Sequence, residues 1–222
     1  MKNNKSTNAS DMHVLKRNGK KEIISFDKIL KRGKSIAKEF GLANIIHAQL
    51  AMKVIDQLYD NIQTTKIDEL MAEQCASMAS THPDYTKMAS AITISNLQKN
   101  TSSSFYETIK KLYDFKDVNN ASYKLIHGNI MKICEDYKET LDAIIDYQRD
   151  FLFDYFGFKT LERAYLMKIN NVIVERPQHM WLRVSLCIHG INMEKVKETY
   201  DYMSLKHFIH AKTTTQSTLI VA

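Results

Sequence analysis

The stretch His13-Val14-Leu15-Lys16-Arg17-Asn18-Gly19-Lys20-Lys21-Glu22-Ile23-Ile24-Ser25-Phe26 decides how the first half of this chain folds. Two extended runs, HVLKR and KKEIISF, flank an Asn-Gly pair. Such a pair is the strongest short hairpin signal, because both central positions of a two-residue turn need φ > 0. The pattern predicts a β-hairpin with cations on either side of its tip.

The charge is as local as the turn. Residues 1–40 hold eleven Lys/Arg against four Asp/Glu, a local +7 that leaves −1 for the rest of a chain whose net charge is +6. Lys16, Arg17, Lys20, Lys21, Lys28, Lys31, Arg32 and Lys34 fall on the hairpin and the helix behind it. Backbone amides at that helix's start add to the positive field, and a polyphosphate suits such a place. On composition alone, a solvated face with weak attraction for nucleic acid is the plainer account. A nucleotide would also need acceptors for its sugar and base, and Glu22 and Asp68 are anionic residues able to serve. Taken singly, Asp68 reads as a charge that stabilises a helix N-terminus, and Lys99 as one that complements a helix C-terminus.

Outward from the hairpin, the composition is that of a globular, mainly helical chain. It has 222 residues, 44% hydrophobic and 25% charged, with only six Gly and two Pro. Its apolar runs are too short to span a bilayer and its N-terminus has no apolar signal core, so a soluble, cytoplasmic protein is expected. Residues 1–11 read as a disordered arm. Asp27 is placed to cap a helix over 27–40, with Gly41 as its stop. A second periodic run covers Ile45 to Leu58. A third carries Ile67, Leu70, Met71 and Met78 after Thr64 or Thr65 as N-cap. Pro83 opens a fourth, with Tyr85, Met88, Ile92 and Leu97, ending near Lys99. Residues 12–100 therefore read as a hairpin on a four-helix bundle. Beyond them come Ser-rich connectors, a short helix and a longer helical run over about 129–147. From residue 150 the chain turns aromatic. Asn170-Asn171 suggests a turn into a short strand, Pro177 opens a helix with Met180, Val184 and Ile188, and a last helix holds Val196, Tyr200, Met203 and Phe208.

Several chemistries find no motif. Cys75, Cys134 and Cys187 are odd in number, widely spaced and never C-x-x-C, so buried reduced thiols are expected rather than disulfides or a zinc site. His82, His179 and His189 lack metal-ligand spacing and read as turn, capping or core residues. Neither the P-loop nor the dinucleotide fingerprint occurs.

Five blocks, taken together, carry a resemblance: MHVLKRNGKKEIISFDKI, AMKVIDQLYDNIQTTKIDEL, HPDYTKMASAITISNLQK, DFLFDYFGFKTLERAYLMKI and ERPQHMWLRVSLCIHG. In this order they resemble the large subunit of class I ribonucleotide reductase over residues 12 to about 211. The resemblance implies that residues 12–100 form an ATP-cone, binding ATP as activator and dATP as inhibitor, with Mg²⁺ carried by the nucleotide and no metal held by the chain. The implied contacts are Lys16 and Arg17, the segment Glu22, Ile23, Ile24, Ser25, Phe26, Asp27 and Lys28, then Thr64, Asp68 and Lys99. Lys16, Arg17, Lys28 and Lys99 suit phosphates, while Glu22 and Asp68 suit base or sugar. Lys20 and Lys21, beyond the turn, match no implied contact and only enrich the field.

The implied fold class is mainly α: a hairpin-capped four-helix cone, then a helical segment at 101–211 leading into an incomplete α/β barrel. Phe151, Phe153, Phe156 and Trp181 would then be partly uncovered. The implied partners are adenine nucleotides, other large subunits and a separate small subunit that bears the radical. Membranes are not implied, and nucleic acid is disfavoured. The family makes deoxyribonucleotides for DNA replication with a cysteine thiyl radical and a reducing cysteine pair; no such role transfers to Cys75, Cys134 or Cys187. After HFIHA the chain departs from the family and ends in KTTTQSTLIVA, with 212–222 as a non-family tail. A truncated large subunit, binding effector but inactive alone as an oxidoreductase, is the expectation. The alternatives are a nucleic-acid-binding module and a regulatory decoy without enzymatic activity.

Overall fold

A computed structural model describes residues 12–116 and 124–208, which fall in two compact units meeting in the chain between Asn96 and Leu97. The proposed arm at 1–11, the tail at 212–222 and part of the connector after Phe115 lie outside the described residues.

In the first unit, β1 (His13–Leu15) and β2 (Lys21–Ile23) form the expected antiparallel hairpin. Its turn differs from the expected one. Only Gly19 has positive φ, at +78°. The Lys16 N–H donates to Lys20 O at 2.8 Å, and the Gly19 N–H donates to Lys16 O at 2.9 Å. This is a three-residue loop with Gly in the left-handed position. The Asn18 side chain accepts from the Lys20 N–H at 3.1 Å, which holds the loop in that form.

A strand the sequence reading lacked, β3 (Ile62–Gln63), pairs parallel with β1, so the sheet runs β2-β1-β3. Four helices follow the expected order: α1 (Phe26–Glu39), α2 (His47–Ile55), α3 (Thr64–Ser77) and α4 (Pro83–Asn100). α1 buries Ile29, Gly33, Ile36 and Ala37 on one stripe. It closes at Gly41, φ +64°, with the Leu42 N–H donating to Ala37 O at 2.8 Å, a Schellman stop. Two caps are corrected. Ser25, not Asp27, occupies the N-cap of α1, with Asp27 in the first turn, and Gln63, not Thr64 or Thr65, precedes α3. Neither side chain caps its helix; Gln63 Oε1 instead accepts from the Thr65 hydroxyl at 3.3 Å. His82 supplies the cap at α4, its Nδ1 accepting from the Asp84 N–H at 3.1 Å. Val14, Ile36, Leu50, Val54, Ile62, Met71, Tyr85, Met88 and Ile92 fill the core.

The second unit contains α5 (Phe105–Tyr113), α6 (Gly128–Asp136), α7 (Lys138–Ile144), a 3₁₀ helix (Tyr147–Leu152), α8 (Tyr155–Ala164), the hairpin β4 (Lys168–Ile169) and β5 (Val172–Ile173), α9 (Pro177–His189) and α10 (Met193–Ser204). The single run expected over 129–147 is broken at Tyr137, whose φ of −120° ends α6 before α7 starts. α9 is the central helix of this unit, buried from Pro177 to Leu186. That corrects two expectations: Trp181 is buried, while Ile188 faces solvent. Phe208 also lies beyond α10 and is exposed. Phe156 is 68% exposed, as an uncovered apolar group was expected to be. Among the described residues the chain is mainly helical with two small sheets, and no helix is long and apolar enough to cross a membrane.

Candidate functional site

The three-residue loop sets which side chains meet. With Val14 opposite Glu22, Lys16 and Glu22 share a face and stand diagonally across the hairpin. A two-residue loop would shift the pairing by one and turn Glu22 to the other face. In the observed register one oxygen of Glu22, Oε2, receives Lys28 Nζ at 2.6 Å and Lys16 Nζ at 3.2 Å. The Lys28 bond, then that of Lys16, holds the Glu22 carboxyl below its ordinary value.

A second cluster lies deeper. Asp68, on the second turn of α3, is buried and receives two guanidinium groups. Arg32 Nε approaches Oδ1 at 3.2 Å and Arg32 Nη2 approaches Oδ2 at 3.4 Å. Arg17 Nη2 reaches Oδ2 at 3.4 Å and makes a shorter bond, 2.6 Å, to Asn96 Oδ1. Asn96 Nδ2 donates to Thr65 O at 3.2 Å, and Arg32 Nη2 to Ser95 Oγ at 3.1 Å. The hairpin loop and α1 thus meet the carboxylate of α3, with α4 bracing both arginines.

The expected residues therefore sort into groups. Lys16, Glu22 and Lys28 come together, and Arg17 and Asp68 come together. Thr64 opens α3 one turn before Asp68. Ile23 and Phe26 are exposed and Ile24 and Ser25 half-buried, lining the link from β2 into α1 where Asp27 joins the first turn. The Ile24 N–H donates to Met12 O at 2.9 Å, which holds this link against the chain entering β1. Lys99 stands in the last turn of α4 and belongs to the second unit, so it is not placed with the others. Asp68 acts as more than a helix-terminal charge. The sequence reading missed Arg32 and Asn96 as members of the site. Their one signal was spacing: Arg32 follows Lys28 by four, on the same face of α1, and Asn96 precedes Lys99 by three on α4.

Elsewhere the polar residues serve structure. Burial pushes the thiols of Cys75 and Cys134 up to about 12. His179 is fully buried, its Nε2 lying 2.6 Å from the Tyr147 hydroxyl, and burial with Arg176 nearby lowers it to about 3. His189 Nε2 meets the Thr199 hydroxyl at 2.8 Å. Among the described residues no three His, Cys, Asp or Glu side chains gather as a metal site.

A hairpin bearing cations, backed by four helices and a buried Asp-Arg cluster, defines a class: residues 12–100 match the ATP cone domain, and residues 151–215 match the all-alpha domain of ribonucleotide reductase. The relatives agree. The chain is 47% identical over 204 residues to the ribonucleoside-diphosphate reductase large subunit of Plasmodium falciparum (isolate Dd2), covering 91% of this chain and 25% of that protein. It is 44% identical over 209 residues to the large subunit of Dictyostelium discoideum, covering 92% of this chain and 24% of that one. Against the Variola virus large subunit it is 43% identical over 204 residues, 91% of this chain and 26% of the relative. The chain belongs to the ribonucleoside-diphosphate reductase large-subunit family, and it spans about a quarter of the length of these relatives.

Proposed function

We propose that residues 12–100 bind ATP and dATP as allosteric effectors that set the overall activity of a ribonucleotide reductase. The observation that carries this reading is the grouping of Lys16, Arg17 and Lys28 around two carboxylates on an ATP-cone framework. Two ammonium groups and a guanidinium lie at the hairpin, beside α1 amides that receive no side-chain cap, and such a set suits a polyphosphate. Lys16, Arg17 and Lys28 take phosphates, with Lys99 as a further cation. The link from Glu22 to Lys28 takes the base, and Thr64 and Asp68 lie toward the sugar. Mg²⁺ enters with the nucleotide.

In this reading residues 101–211 form the helical lead-in to a catalytic barrel. Large subunits and the radical-bearing small subunit are the protein partners, and ribonucleoside diphosphate reduction is the activity of the whole assembly. Calorimetric titration with ATP and dATP tests the effector site: saturable heat for both is expected, and silence at millimolar nucleotide refutes it. Asp68→Asn is expected to change the ratio of ATP to dATP affinity while moving tripolyphosphate affinity by less than about threefold, because a neutral amide donates where the carboxylate accepts. Equal loss for all three ligands would assign Asp68 to the phosphates instead.

A further inference from the structure

Resting on the reading of the hairpin as a polyphosphate site, we propose that Arg32 is a positioning residue. By holding Asp68 it keeps Arg17 available to phosphate.

Asp68 is 6% exposed, and a buried carboxylate needs compensation. The two guanidinium groups supply it unequally. Arg32 addresses both oxygens through Nε and Nη2, the planar fork geometry that makes Arg-carboxylate pairs strong, and is braced by Ser95 Oγ. Arg17 reaches Asp68 Oδ2 at 3.4 Å, and it makes a shorter bond to Asn96 Oδ1, a neutral acceptor. The Asn96 amide is oriented by its own donation to Thr65 O, which leaves Oδ1 facing Arg17. Asn96 therefore aims Arg17 without cancelling its charge, and Arg32 carries most of the duty of neutralising Asp68. Remove Arg32 and the whole carboxylate charge falls on Arg17, so that a phosphate must compete with a buried anion for it.

Titration calorimetry of the full chain with inorganic tripolyphosphate and with ATP decides. Arg32→Gln is expected to weaken both about tenfold, the size of one charge-assisted contact. Adding Asp68→Asn to it should restore affinity to within about threefold of Asp68→Asn alone, a rescue that a purely structural role would not give. If Arg32→Gln unfolds around an under-compensated Asp68, the comparison of Asp68→Asn with the double variant still decides. A loss persisting in the double variant overturns the proposal, since Arg32 would then touch phosphate itself or act only as scaffold. Wild-type affinity in Arg32→Gln overturns it as well. A wild-type chain that binds neither ligand overturns the effector reading too, an outcome distinct from binding that ignores Arg32.

Discussion

At the scale of single residues, the second unit holds its most exacting group in Asp150. This carboxylate is fully buried and accepts from two neutral amides, Gln98 Nε2 at 2.8 Å and Gln178 Nε2 at 3.0 Å. The Gln178 amide is held in that orientation by the Tyr200 hydroxyl, which donates to Gln178 Oε1 at 2.8 Å while accepting from the Asp146 N–H. Burial raises Asp150 from 3.8 to about 6, with the two amides and Arg176 drawing it back and Asp146 adding to the rise. An acid raised in this way stabilises the fold while protonated. Its contribution is full below the unfolded value and is lost as pH climbs through about 6. The span amounts to roughly 3 kcal/mol. Asp150→Asn is expected to flatten that dependence in urea melts between about pH 4 and 7; an unchanged slope would show that Asp150 does not cause it. Gly19 offers a simpler test. A Cβ there meets open space, so Gly19→Ala should cost only the backbone's left-handed penalty, about 1 kcal/mol by chemical denaturation. At this scale Lys16 and Glu22 were legible once a hairpin was read. Arg32 and Asn96 were not, because what selects them is a carboxylate on another helix.

Among the elements, the two hairpins show where local sequence decides and where it does not. At Asn170-Asn171 both residues have positive φ, 49° and 63°, and Ile169 pairs with Val172, so the two-residue turn is built as its residues demand. At Asn18-Gly19 the chain takes a longer loop, which preserves the pairing of Val14 with Glu22 while β1 also serves β3. β3 has two residues and carries no periodicity to read, and its partner lies far away in sequence. The break at Tyr137 was hidden for a related reason: apolar residues continue at helical spacing on both sides of it. The helices α1 to α4 and α9 were legible because each has a run of apolar residues at helical spacing or a proline start. Within α9, Arg183 forms a fully buried pair with Glu175, Nε to Oε1 at 2.7 Å, and Glu175 also accepts from the Met167 N–H. Arg183→Met leaves that carboxylate without its buried counter-charge, and a loss of about 3–5 kcal/mol in a denaturant melt is expected.

For the molecule as a whole, the two units lead to a calorimetric expectation. If nucleotide binds only the first, saturating ATP should raise one of two unfolding transitions and leave the other in place. At a hundred times Kd the stabilisation is about 2.7 kcal/mol. A shift of both together would mean that the units unfold as one. The parallel pairing of β1 with β3 has a further consequence, in time rather than in space. It joins Val14 to Ile62 and Leu15 to Gln63, so the pairing closes a long loop of chain before α3 can present Asp68 to the hairpin. Local helices form early and such distant pairings late. If the basic hairpin and its carboxylate meet only past the main barrier, a ligand that needs both leaves the folding rate untouched while slowing escape from the native state.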